Sequence, residues 1–135
     1  MLFYRIENEN RLGPYAGVGT INSGISGTAT TLHPLPQEDE LLKFVIPTIH
    51  RGYYFSGKLR FGFSSLEQLR TWFNDVSDLG RLTEHGFHLS IYKVPKVYAG
   101  ETQSVIEADY HIVENLKEKH NLDEIHLTTF QPVVE

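Results

Sequence analysis

The chain has 135 residues, 40% of them hydrophobic and 21% charged, with 12 Lys+Arg against 17 Asp+Glu, a net charge of −5 and no cysteine. A chain of that length makes about one domain and needs no disulfide or metal staple, and the missing cysteine excludes thiol nucleophiles, thiolate metal sites and disulfide frameworks together. The acidic balance argues against binding along duplex nucleic acid, which calls for a basic face, and the 12% aromatic content is too rich for a disordered chain.

Leu2–Glu7 alternates and predicts a first strand, with Tyr4 and Ile6 on one face and Arg5 on the other beside Phe3 and Glu7. Residues 8–40 show no clear periodicity but hold Gly13, Gly17, Gly19, Gly24 and Gly27, which predicts a long functional loop, with a short strand allowed within Val18–Ile25. Pro36 followed by Gln37-Glu38-Asp39-Glu40 predicts a short helix that Pro47 ends. Tyr53–Ser56 and Lys58–Phe63 read as a hairpin turning near Gly57.

Ser64-Ser65-Leu66-Glu67 has capping-box spacing, with Ser64 accepting from the third-residue amide and Glu67 reaching back. Leu66, Leu69, Trp72 and Phe73 then form one apolar stripe, so residues 65–74 are predicted helical. Val76–His85 carries Val76, Leu79 and Leu82 at three-residue spacing and stops at Gly86. Phe87–Val94 and Gln103–Glu107 read as strands, Val113–His120 as a charged helix and Ile125–Phe130 as a final strand. The expectation is a single α+β domain over 1–135, with a largely antiparallel sheet, two or three helices and a Gly-rich loop.

No run reaches the roughly 20 apolar residues of a membrane span. MLFYRIENEN puts Arg5 and Glu7 where a signal peptide needs apolar residues, so a cytoplasmic protein is expected. Seven histidines invite a metal reading, but there is no His-Glu-x-x-His, and His85 and His88 straddle Gly86 without a common face. Gly17-Val18-Gly19 lacks a timely third glycine and a following helix, no Gly-Lys-Ser/Thr occurs, and no Gly-x-Ser-x-Gly elbow is present. The carboxylates of Gln37–Glu40 and Glu114–Glu124 read as solvated helix faces.

Tyr4-Arg5 on a first strand, Phe63-Ser64-Ser65 leading into a helix, and Glu101-Thr102-Gln103 on a late strand together resemble the ADP-ribosyltransferase fold. The resemblance implies that Arg5 clamps a pyrophosphate or ribose, that Ser64 or Ser65 orients the nicotinamide ribose, and that Tyr53 or Tyr54 stacks on a base, with NAD or another adenine nucleotide as ligand and the 8–40 loop as a lid. Its catalytic glutamate falls two residues after a Glu or Gln, whereas here Glu101 precedes Gln103, so Gln103 would hold the catalytic position or Glu101 would replace it from a shifted register. That departure supports nucleotide binding more than catalysis.

Over more of its length, from Phe-Tyr-Arg-Ile-Glu through Phe61–Leu69 and Trp72-Phe73 to Tyr92–Pro95 and Gly100–Gln103, the chain resembles small phage and prophage proteins. That resemblance implies a bacterial host cytoplasm and a target among host or defence machinery. The alternative to a nucleotide site is then a non-enzymatic acidic inhibitor that occupies a host or defence protein's surface, including one that normally holds nucleic-acid phosphates.

Overall fold

The N-terminal alternation becomes β1, Leu2–Glu7, in a computed structural model that describes residues 1–11, 13, 39–45, 59–74, 76–110, 113–127 and 129–132. Around it these residues form three α-helices, α1 at Glu40–Val45, α2 at Leu66–Trp72 and α3 at Val76–Glu84. They also form strands β2 at Leu59–Gly62, β3 at His88–Lys93, β4 at Tyr98–Ala99, β5 at Ser104–Glu107 and β6 at Leu116–His120. Two antiparallel three-stranded sheets run in the orders β1-β3-β6 and β2-β5-β4. The class is α+β, as the periodicities predict.

The two sheets meet where β1 passes the end of β2. Tyr4 and Phe63 exchange both backbone hydrogen bonds at 2.8 Å each. Gly62 permits that approach, since a Cβ there would lie 2.6 Å from the Tyr4 carbonyl oxygen and closer still to the Phe3 ring. Alternation along β1 then feeds two cores. Tyr4 and Ile6 join the larger one with Leu89, Ile91 and the apolar stripe Leu69, Trp72 and Phe73, while Phe3 packs with Tyr92, Val94, Val97 and Ile106.

Helix α3 ends as its Gly86 predicts. Gly86 takes φ +85, its amide reaches Thr83 O at 3.1 Å, and Phe87 N reaches Leu82 O at 3.0 Å, the paired bonds of a Schellman cap. Leu79 and Leu82 are buried, whereas Val76, expected on the same stripe, is exposed.

Four expectations are corrected. The N-cap of α2 is Ser65, not Ser64: Ser65 Oγ accepts from Gln68 N at 3.0 Å, and it is Gln68, not Glu67, that reaches back to the amide of Ser64 at 2.9 Å. Ser65→Ala should therefore lower stability by about 1 kcal/mol, read from the urea midpoint, with Ser64→Ala changing it less. The charged segment expected as a helix over Val113–His120 is instead a 3-10 turn at Val113–Asn115 followed by β6, because pairing Leu116 with Tyr92 and His120 with Leu89 completes the sheet. The described residues of Ile125–Phe130 hold turns rather than a strand. The segment is anchored to α2 and its C-cap, with Arg70 Nε donating to Ile125 O at 2.7 Å and the His126 ring on Phe73 O at 2.6 Å, and Phe130 stands edge-on to His120. Glu101–Gln103 lies in the β4–β5 turn, and the strand begins at Ser104.

Tyr53–Ser56, most of the 8–40 loop and Pro36–Glu38 lie outside the described residues. Within them, α1 starts at Glu40 and β2 pairs with β5.

Candidate functional site

An open groove of about 270 Å³ runs between α2 and the β4–β5 turn, lined by Ser65, Glu67, Gln68, Thr71, Trp72, Glu101 and Thr102. Two elements far apart in sequence make its walls, and partly buried polar contacts hold them in place. Gln68 is the connector on one side. Its Oε1 accepts from Ser64 N at 2.9 Å and from Ser104 Oγ at 2.8 Å, while its Nε2 donates to Gly100 O at 3.0 Å.

Asp39 fixes the other side. Only 3% exposed, its carboxylate accepts from Leu41 N and Leu42 N at the start of α1, and from Glu101 N, Thr102 N and Thr102 Oγ1 at 3.0–3.2 Å. The solvated-face reading of Gln37–Glu40 thus fails at Asp39. The turn is closed by Gly100 N on Gln103 O at 2.8 Å. Only glycine fits at its first position, because a Cβ on Gly100 would come within 2.7 Å of both Asp39 Oδ2 and Leu42 Cγ.

These contacts set the chemistry of the lining. The Glu101 and Thr102 amides and the Thr102 hydroxyl proton are directed to Asp39, the Gln68 amide to Ser65 Oγ, and the Thr71 hydroxyl proton to Glu67 O at 2.9 Å. Facing the groove are the exposed carboxylates of Glu67 and Glu101 and the oxygen lone pairs of the two threonines. The groove accepts hydrogen bonds and carries negative charge. The Glu101 and Thr102 amides, which could have cradled an anion, are already used within the fold.

Arg5 takes part in a different structure. Only 6% exposed, it donates Nε to Glu7 Oε1 at 3.1 Å, one guanidinium nitrogen to Phe61 O and the other to Arg11 O at 3.3 Å. Glu7, fully buried, also receives Arg11 at 3.0 Å and the Tyr92 hydroxyl, and Arg11 donates to Tyr92 Oη at 2.6 Å. Burial, and then the hydrogen bond to Glu7, push the Tyr92 hydroxyl pKa up, so it stays protonated and donating. Arg11 has φ +66, a left-handed conformation that turns the chain back over this network after β1. None of Glu7, Phe61 and Arg11, which accept these bonds, lines the groove.

Of the residues singled out in the sequence, Ser65 and Glu101 share the groove, and Ser64 lies beside it through Gln68. Gln103 is fully buried in the turn rather than facing the groove, Arg5 belongs to the Glu7 network, and Tyr53 and Tyr54 lie outside the described residues. The site residues not singled out from the sequence are Asp39, Glu67, Gln68, Thr71, Trp72 and Thr102. A signal existed for two of them: Gln68 stands three residues after Ser65, and Asp39 immediately precedes a helix.

Among the described residues no group of three or more His, Asp or Glu could hold a metal ion, and no helix is long and apolar enough to cross a membrane. The molecule is an α+β protein whose recognisable site is an acidic, acceptor-lined groove. The chain belongs to the Bacteriophage T4 Y00F protein family, whose family model matches residues 1–118, and is thus a phage protein. No curated protein and no solved structure matches it.

Proposed function

We propose that this phage protein works without catalysis, by docking its acidic groove face against a positively charged surface of a host or defence protein. The observation that carries this reading is the groove lining, which holds Glu67 and Glu101 and no lysine or arginine. The net charge of −5 adds long-range attraction toward a basic partner. A surface that normally binds nucleic-acid phosphates has the matching sign.

The test is capture from bacterial lysate at low salt with the wild-type protein and a Glu67→Lys/Glu101→Lys double variant. Wild type should retain a stoichiometric partner that raised salt releases, and the charge-reversed protein should not. Equal retention by both, or no partner at low salt, removes the reading.

A second reading, a nucleotide site of ADP-ribosyltransferase type in the bacterial cytoplasm, is favoured by one observation: Ser65 and Glu101 border the same groove. Against it stand the two groove carboxylates, which repel phosphates, and a volume of about 270 Å³, below the roughly 300–1,000 Å³ of drug-sized ligand sites. A rise in melting temperature with millimolar NAD or ADP-ribose would restore it.

A further inference from the structure

We infer that the groove between α2 and the β4–β5 turn receives one arginine side chain of a protein partner, its guanidinium held by Glu67 and Glu101 and its stem lying along Trp72. The inference rests on the docking reading above and names the group that enters. Three features of the lining lead to it.

The first is the balance of donors and acceptors. Thr71 and Thr102 direct their hydroxyl protons into the fold, toward Glu67 O and Asp39, and the Glu101 and Thr102 amides also point to Asp39. What remains toward the groove are the two carboxylates and the threonine hydroxyl oxygens, with the Ser65 hydroxyl able to donate at the rim. A ligand matched to a lining dominated by acceptors is rich in donors, and a guanidinium has five N–H donors and no acceptor.

The second feature is the aromatic side. Trp72 borders the groove while only 7% exposed, its ring packed beside Phe61 at 5.3 Å and Phe63 at 5.9 Å between centroids. It offers a narrow, fixed apolar strip rather than a broad stacking platform. An arginine lays its methylene stem along such a strip while its weakly hydrated guanidinium reaches the carboxylates, whereas an ammonium keeps its water more tightly.

The third is size and rigidity. The volume is that of a single long side chain, not of a dinucleotide or a helix. The walls are fixed beforehand by Gln68 and Asp39, so an entering side chain loses its own freedom without having to order the site.

The probe is acetyl-Gly-Arg-Gly-amide, followed by amide NMR of the full chain. Trp72 is the only tryptophan, so its single indole resonance reports from the groove itself. The arginine peptide should shift the Trp72 indole and the Thr71 and Thr102 amides in a saturable way at millimolar concentration. The lysine peptide should bind more weakly, and the citrulline peptide, equal in shape but uncharged, should not shift them.

Glu67→Gln and Glu101→Gln should each weaken the arginine peptide by about tenfold, the loss of one charge-assisted hydrogen bond. Both side chains are exposed, and the unperturbed remainder of the spectrum reports that the fold is kept. Equal shifts from citrulline, shifts unaffected by both Glu→Gln changes, or no shift with arginine each overturn the inference. If arginine gives no shift while lysate capture still depends on Glu67 and Glu101, the docking reading stands and only the single-guanidinium site falls. Should capture itself ignore the two glutamates, the broader reading fails with it.

Discussion

Glu7→Ala is expected to destabilise the protein by about 3–5 kcal/mol, the cost of removing one partner from a buried ion pair and leaving the others uncompensated. Glu7 is fully buried and accepts from Arg5, Arg11 and the Tyr92 hydroxyl, so its loss strands two guanidinium groups and a phenol. A loss of that size is a large fraction of the roughly 5–15 kcal/mol that holds an ordinary domain together. Urea unfolding monitored by circular dichroism measures it. A loss under about 1 kcal/mol, the usual worth of an exposed pair, would mean that water reaches the network. Arg5→Ala should fall in the same range, because Arg5 supplies one of those bonds and also ties Phe61 O and Arg11 O into the network. Lost ligand response in an Arg5 variant would therefore report unfolding before it reported a nucleotide site.

The second large effect is expected at Phe63. Its side chain is 1% exposed and sits amid Phe61 at 5.4 Å, Trp72 at 5.9 Å and Phe73 at 6.0 Å between ring centroids. Phe63→Ala should cost about 3–5 kcal/mol, the transfer energy of the ring plus the cavity it leaves. The site cannot collapse to fill that cavity easily, since the Phe63 backbone is held to Tyr4 at the seam between the sheets. Thermal and urea unfolding should both register the loss. Phe63→Leu, which keeps most of the volume, should recover more than half of it; equal losses for both would argue that ring geometry rather than volume sets the seam.

Legibility in the sequence followed how local each cause was. The faces of β1 were readable because alternation alone separates Tyr4 and Ile6 from Phe3, Arg5 and Glu7, and the Schellman cap at Gly86 announces itself by one residue. The capping register was off by one because Ser64 and Ser65 are equivalent to a local pattern. What selects Ser65 is Gln68, whose amide also reaches Gly100 and Ser104 on other elements. Leu-Lys-Glu-Lys-His at β6 has helix-forming residues, but its alternating exposure and pairing with β3 override that propensity.

The site was half legible. Ser65 and Glu101 were singled out and do meet, but from a resemblance that assigned Glu101–Gln103 to a strand and Arg5 to a ligand. The turn conformation is imposed by Asp39 from 62 residues away, which no local window contains. Arg5 and Glu7 stand two apart on one face of a strand, so their pairing was available from alternation and outweighs the likeness to a phosphate clamp.

The attachment of Asp39 to Glu101 also concerns the order of events after synthesis. One wall of the groove is held by a contact that closes 62 residues of chain, and such closure must precede the reward it brings. A nascent or partly unfolded chain therefore carries the glutamates but not the groove. The groove is confined to molecules that have completed this long-range closure, so a proteolytic or hydrogen-exchange probe of the β4–β5 turn reports on the whole intervening segment.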